Sequence, residues 1–351
     1  MSEQETILTP QPRGFGLRFR REDFFVRIVI ALALSILCAA VLVALAGKNP
    51  LVAFGAIISG AFGSPHQIGV ALNRACPYLL AGSGLAMCFR AGVINMGSDG
   101  QIALGGIGAT ATVLFWPGEP GILTLLAALA AAALLGAGWA ALATGIHLYR
   151  RVHEVLATLL LNFVAVLLVQ QVLSGPMGQK GAGFLQSPRM PQPVWLTRIP
   201  EFGFHIGIVV GIVIAIALSF ILWKTPFGFA LRVVGRSRRA TAYAGFSVPA
   251  ITWSVMLIAG ALGGLAGGME ILGLHHRMIE GFSEGFGFKA VTVALLGAIE
   301  PAAVIPAALF IGLLETGSLS MQRQIGVPSA LVVVIEGITM LFILTATVRR
   351  A

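Results

Sequence analysis

The stretch Phe89-Arg90-Ala91-Gly92-Val93-Ile94-Asn95-Met96-Gly97-Ser98-Asp99-Gly100-Gln101 sits between two apolar runs and carries three glycines, two amides, an acid and a hydroxyl. Glycine permits irregular backbone, and Asn95, Asp99 and Gln101 offer donors and acceptors that could line a path for a polar solute. The same residues also fit a cytoplasmic turn capped by Asn95 and Asp99. Isolated polar residues lie elsewhere in apolar runs: Asn162, Glu300, Glu315 and Glu336, with Glu270 following a glycine ridge. Such residues are functional candidates by default. For Asn162 and Glu336, helix-to-helix hydrogen bonding is the equal alternative, and Glu300 and Glu315 read as lying near helix ends. Covalent chemistry finds no footing. Gly281-Phe282-Ser283-Glu284-Gly285 matches G-x-S-x-G but lacks the strand and soluble helix of a nucleophile elbow. His275-His276, and His147 with His153, have no metal-ligand spacing with acids or thiols. The sequence contains no G-x-x-x-x-G-K-[ST] phosphate loop, so the chain does not hydrolyse ATP itself.

Two further stretches read as mechanical rather than chemical. Gly228 to Gly245 combines a basic cluster, a short amphipathic stretch, the small residues Ala240, Ala242 and Ala244, and a glycine stop. It fits a surface gripped by a partner, or merely a positive inner loop. Gly260, Gly264 and Gly268, spaced by four, place small residues on one helical face where another backbone can approach.

The elements that hold these residues belong to a membrane. The 351 residues are 57% hydrophobic and 11% charged, against about 25% charged in a soluble domain. Apolar runs place segments near 25–46, 70–89, 102–116, 122–146, 154–173, 205–223, 249–273, 288–299, 302–319 and 328–347. The expected fold is all-α, integral to the membrane, with about ten segments. Segments 288–299 and 302–319 fit a broken or re-entrant pair as well as two crossings, because Glu300-Pro301 interrupts them. Two weakly related halves are expected, each a Gly-rich helix followed by a polar break, Leu80 to Gln101 and Ile258 to Phe288.

Under this topology 15 of the 23 Lys and Arg share a side with both termini, and 8 lie opposite. The positive-inside rule then makes 1–23 and 349–351 cytoplasmic, 224–247 an inner loop and 174–204 the longest outer loop. The membrane domain spans 24–348. Ala44-Leu45-Ala46 resembles a cleavage site, but an uncleaved first span is expected. The net charge of +9 does not indicate nucleic acid, because the basic residues are scattered between apolar runs. Cys38, Cys76 and Cys88 read as small buried hydrophobes.

Five segments, in order, resemble the permeases of the ribose, nucleoside and branched-chain amino acid group of ABC importers, nucleoside-type branch. Gly92 to Gln101 is similar to "G-x-x-N-I-G-x-E-G-Q", with Met96 for Ile and Asp99 for Glu. His153 to Asn162 resembles "N-E-V-x-x-T-x-M-L-N". Thr225-Pro226-Phe227-Gly228 through Ala242-Tyr243-Ala244-Gly245 resembles "T-P-F-G…R-A-V-G…A-A-x-Y-A-G". Gly285 to Phe288 with Val293 to Gly297 resembles "G-x-G-F…V-A-L-L-G", and Gly326-Val327-Pro328 with Glu336-Gly337 echoes the closing helix, where Gln is frequent. The likeness runs from about Leu32 to the C-terminus.

The resemblance implies a bacterial inner-membrane importer, with ATP and Mg bound on a cytoplasmic ABC ATPase. It implies a second permease subunit, an extracytoplasmic substrate-binding protein and surrounding lipid as further partners. The inner loop would couple to the ATPase through Arg232, Gly235, Arg236, Arg238, Arg239, Ala242 and Gly245. The N-terminal extension and long outer loop look like the longer of two non-identical permeases. A nucleoside is the expected solute, a ribose-like sugar the alternative. A self-sufficient secondary transporter would need an ion site built from Asp99, Glu270 and Glu336, and a membrane enzyme has no supporting nucleophile or metal spacing.

Overall fold

The computed structural model describes residues 22–347, and these form a helical bundle. The helices are α1 (Glu22–Leu45), α2 (Pro50–Phe62), α3 (Pro65–Arg90), α4 (Ser98–Leu114), α5 (Ile122–Arg150), α6 (Glu154–Ser174) and α7 (Gly207–Lys224). Two short helices follow, α8 (Pro226–Arg236) and α9 (Arg238–Tyr243), and then α10 (Val248–Glu270), α11 (Phe286–Leu296), α12 (Pro301–Ile325) and α13 (Ser329–Thr347). The expected terminal segments 1–23 and 349–351 lie outside the described residues, apart from the first two residues of α1.

Each expected apolar segment overlies a helix. Among the described residues, five helical stretches are long and apolar enough to cross a membrane: Ile122–Arg150, Glu154–Ser174, Gly207–Lys224, Val248–His275 and Pro301–Ile325. Val29–Leu45 and Pro50–Phe62 form a pair bent by 118° that counts as a sixth. The second member of that pair, α2, is absent from the sequence reading. Its 13 residues fall short of a span, although Asn49 accepts the Leu51 N–H and Pro50 sits at the first helical position. Helix α11 rises about 16 Å, half the hydrocarbon thickness, so it cannot cross alone.

Lipid gives helices no hydrophobic reason to associate, so close backbone packing must hold them. The seam of α5 against α10 is built this way. A Cβ on Gly264 would lie 2.9 Å from the Ala132 carbonyl carbon and 3.0 Å from Gly136 Cα; one on Gly260 or Gly268 would meet the Ala140 or Ala132 methyl at 2.5 or 2.8 Å. Gly264→Val should therefore cost roughly 1–3 kcal/mol through overpacking. Gly138, on the open face of α5 with nothing within 4 Å, is the control. The Gly264 variant should melt several degrees lower in detergent, while Gly138→Val should melt as the wild type.

Candidate functional site

Helix α3 stops at Arg90, the chain turns at Gly92 with φ +68°, and α4 restarts at Ser98. Ala91, Gly92 and Val93 still donate back to carbonyls of α3, but beyond Val93 the chain leaves the helical ladder, and a membrane interior supplies no water to replace the lost partners. Buried side chains fill the gap. Asn95 Oδ1 accepts from Gly97 N at 2.8 Å and from Gln101 Nε2 at 3.3 Å. From α6, Asn162 Oδ1 accepts from Gly100 N at 2.9 Å while its Nδ2 donates to Met96 O at 2.8 Å. Thr158 Oγ1 accepts from Met96 N at 3.2 Å. Three of the sequence-derived candidates, Asn95, Gln101 and Asn162, thus meet at one break.

Asp99 does not cap its own turn. Its Oδ1 accepts from Gly287 N at 2.7 Å, at the first turn of α11. That places a carboxylate against the positive end of a half-length helix. The approach needs glycine: a Cβ on Gly287 would sit 2.9 Å from Asp99 Cγ. The two polar breaks, after α3 and after α10, therefore join through one hydrogen bond.

Two residues beyond Gly287, Lys289 opens a second polar group. Its Nζ lies 2.9 Å from Glu315 Oε1 on α12 and 3.3 Å from Glu336 Oε2 on α13. Arg74 Nη1 lies 3.4 Å from Glu315 Oε1, and Tyr78 OH donates to Glu315 Oε2 at 2.8 Å. Two cations balance two acids. Arg74 and Lys289 are two of the eight basic residues that the expected topology puts on the outer side, and Glu315 is expected near a helix end; the structure sets Glu315 mid-helix, and the pairing spans four helices. Only the acids were visible as charges inside apolar runs.

Glu270 stands apart from both groups. It ends α10, and a π-helical turn, Ile271–His275, follows. Such turns concentrate at functional sites. Glu270 Oε1 lies 3.3 Å from His275 Nε2, and its Oε2 has no partner among the described residues. The 174–204 loop is strapped over this turn. Leu196 N donates to Leu272 O at 3.1 Å, Arg198 Nη2 donates to Gly273 O at 2.7 Å, and the Trp195 ring stacks on His276 at 3.8 Å. Burial and then the Arg198 guanidinium push His276 down to about 4, so its imidazole stays neutral near pH 7.

At the end of the bundle that carries α8 and α9, Arg236, Arg238, Arg239, Ala242 and Gly245 are exposed. Ser237 Oγ caps α9 by accepting from Ala240 N at 3.2 Å, and Gly245 turns the chain at φ +81°. Thr241 is the buried residue of α9. Ala240, Ala242 and Ala244 do not form one face, because a spacing of two suits a strand rather than a helix. Arg232 is half-buried, its guanidinium 4.5 Å from the exposed Trp223 ring, and Gly235 packs on the backbone of Arg90.

The chain is similar to known permeases over most of its length. Residues 67–344 match the family described as branched-chain amino acid transport system / permease component. The guanosine ABC transporter permease protein NupP of Bacillus subtilis (strain 168) is 32% identical over 330 residues, 92% of this chain and 93% of that protein. The glucose ABC transporter permease protein TsgB13 of Haloferax volcanii is 32% identical over 309 residues, 85% of this chain and 81% of that protein. The nucleoside ABC transporter permease protein NupB of Lactococcus lactis subsp. cremoris is 26% identical over 326 residues, 90% and 89% of the two chains.

Proposed function

The chain belongs to the branched-chain amino acid transport system / permease component family, and we propose that it carries a nucleoside inward across the bacterial cytoplasmic membrane. It is a multi-pass permease subunit of an ABC importer, a transport subunit rather than an enzyme, and such a subunit works with an ATPase and a substrate-binding protein. The observation that carries the nucleoside reading is end-to-end similarity to a guanosine permease over 92% of this chain. The break at 91–97, held by Asn95, Gln101 and Asn162 and tied by Asp99 to α11, is where the path narrows in this reading. Broken helices near mid-membrane are where transporters bind solute. Glu336 and Glu270 border the path further along. Both termini, α8 and α9 face the cytoplasm, because the basic excess lies with them. The partner permease is non-identical, and the long 174–204 loop belongs to the larger of the two.

Sugar is the second reading, favoured by equal identity to the glucose permease. Titrating the cognate binding protein with nucleosides, free bases and sugars separates them. Nucleosides binding at least about a hundredfold tighter, roughly 2.8 kcal/mol, supports the proposal; a preference for sugar reverses it.

The ATPase grips α8 and α9 in this account. Packed interface centres carry most binding energy, so bulk at exposed Ala242 should weaken docking more than loss of one rim Arg. Ala242→Trp should lower ATPase co-purification several-fold, with Arg238→Ala close to wild type. Retention in the first and loss in the second would mean the docking face lies elsewhere.

A further inference from the structure

Glu300 sits in the four-residue break between α11 and α12, at the N-cap of α12. An acid there ordinarily accepts from its own helix. Glu300 makes no such bond among the described residues. Its carboxylate points instead to three other parties. Ser219 Oγ and Trp223 Nε1, both on α7, donate at 2.6 and 2.7 Å, and Arg90 Nη2, from the last residue of α3, lies 3.4 Å away. Arg90 Nε also donates to Ile299 O at 3.2 Å.

The backbone held this way is strained. Ala298 and Ile299 have φ of 52° and 60°, consecutive left-handed conformations that a β-branched residue rarely adopts. Strain of this kind persists only where surroundings over-determine it. The same Trp223 ring carries the Arg232 guanidinium of α8 at 4.5 Å and that of Arg90 at 5.7 Å. Arg238, which opens α9, donates to Gly92 O at 3.3 Å. One carboxylate thus joins α3, α7 and the α11–α12 break, and one indole joins that carboxylate to α8.

We infer that Glu300 is a positioning residue that conveys movement of α8, through Trp223, to the strained end of α11. The inference rests on the reading that α8 and α9 face the ATPase. Since α11 is tied at its other end to Asp99, a shift at residues 298–300 is delivered to the break at 91–97. Glu300 touches no solute in this role; it keeps hydrolysis and transport in step.

The experiment uses the full importer, with its ATPase, second permease and binding protein, in proteoliposomes. Uptake, ATP hydrolysis and ATPase retention are measured together for Glu300→Ala, Glu300→Gln and Trp223→Phe. The expected result is retained ATPase and hydrolysis within about twofold of wild type, but solute moved per ATP reduced about tenfold in Glu300→Ala. Trp223→Phe, which keeps the ring and loses the N–H, should fall in the same direction. Glu300→Gln, which keeps an acceptor, should recover part of the ratio. An unchanged ratio in Glu300→Ala overturns the inference. So does loss of ATPase from all three variants, which would assign the cluster to holding α8 in place. Absence of cross-linking between the ATPase and an Ala242→Cys variant would instead remove the reading beneath it.

Discussion

Asp99→Ala should lower uptake at least about tenfold while the complex still assembles. The variant leaves Gly287 N–H without an acceptor at the start of a helix whose end lies inside the bundle. A buried donor left unmatched costs roughly 1–3 kcal/mol. Losing the negative charge at the positive end of α11 adds to that cost. The penalty falls on the placement of α11 rather than on the whole fold, because Asn95, Gln101 and Asn162 still hold the backbone at 91–101. Asp99→Asn keeps an oxygen acceptor and should retain more transport than the alanine variant. Uptake measured against ATPase co-purification separates transport from assembly. Normal uptake at normal expression would return 91–101 to a simple turn with no part in the path.

The second large effect is expected from Lys289→Met. Removing one partner of a buried ion pair costs roughly 3–5 kcal/mol, because the other charge stays buried. The low end of that range applies here, since the Lys289 side chain keeps 29% exposure. Glu315 retains Arg74 and Tyr78, so the unmatched charge falls on Glu336, whose side chain is only 7% exposed. The single variant should melt several degrees below wild type in detergent. Lys289→Met with Glu336→Gln should recover most of the loss, because it removes both charges together. A single variant that melts with the wild type would mean that water or lipid headgroups already neutralise Glu336.

Local signals were legible in the sequence. The polar, glycine-rich break at 92–101 is contiguous, and an amide alone in an apolar run marked Asn162. The short run at 288–299 admitted a broken or re-entrant pair beside two crossings, and α11 is a half-length helix. What could not be read was which distant groups meet. Asp99 and Gly287 are 188 residues apart, and no periodicity links them. Lys289 and Arg74 looked like loop cations because a span count assigns charges to loops. Helix α2 was missed because its 13 residues fit no span template. The three alanines at 240, 242 and 244 were grouped on a strand's period in a segment that is helical.

The central claim is that this chain forms part of an ATP-driven path for a nucleoside. The most direct measurement is accumulation of radiolabelled guanosine in proteoliposomes holding the chain with its ATPase, its partner permease and the binding protein. Accumulation should require ATP on the ATPase side and binding protein on the other, and it should stop when the ATPase is omitted. Guanosine accumulating without the ATPase, or glucose accumulating under full conditions while guanosine does not, would contradict the account.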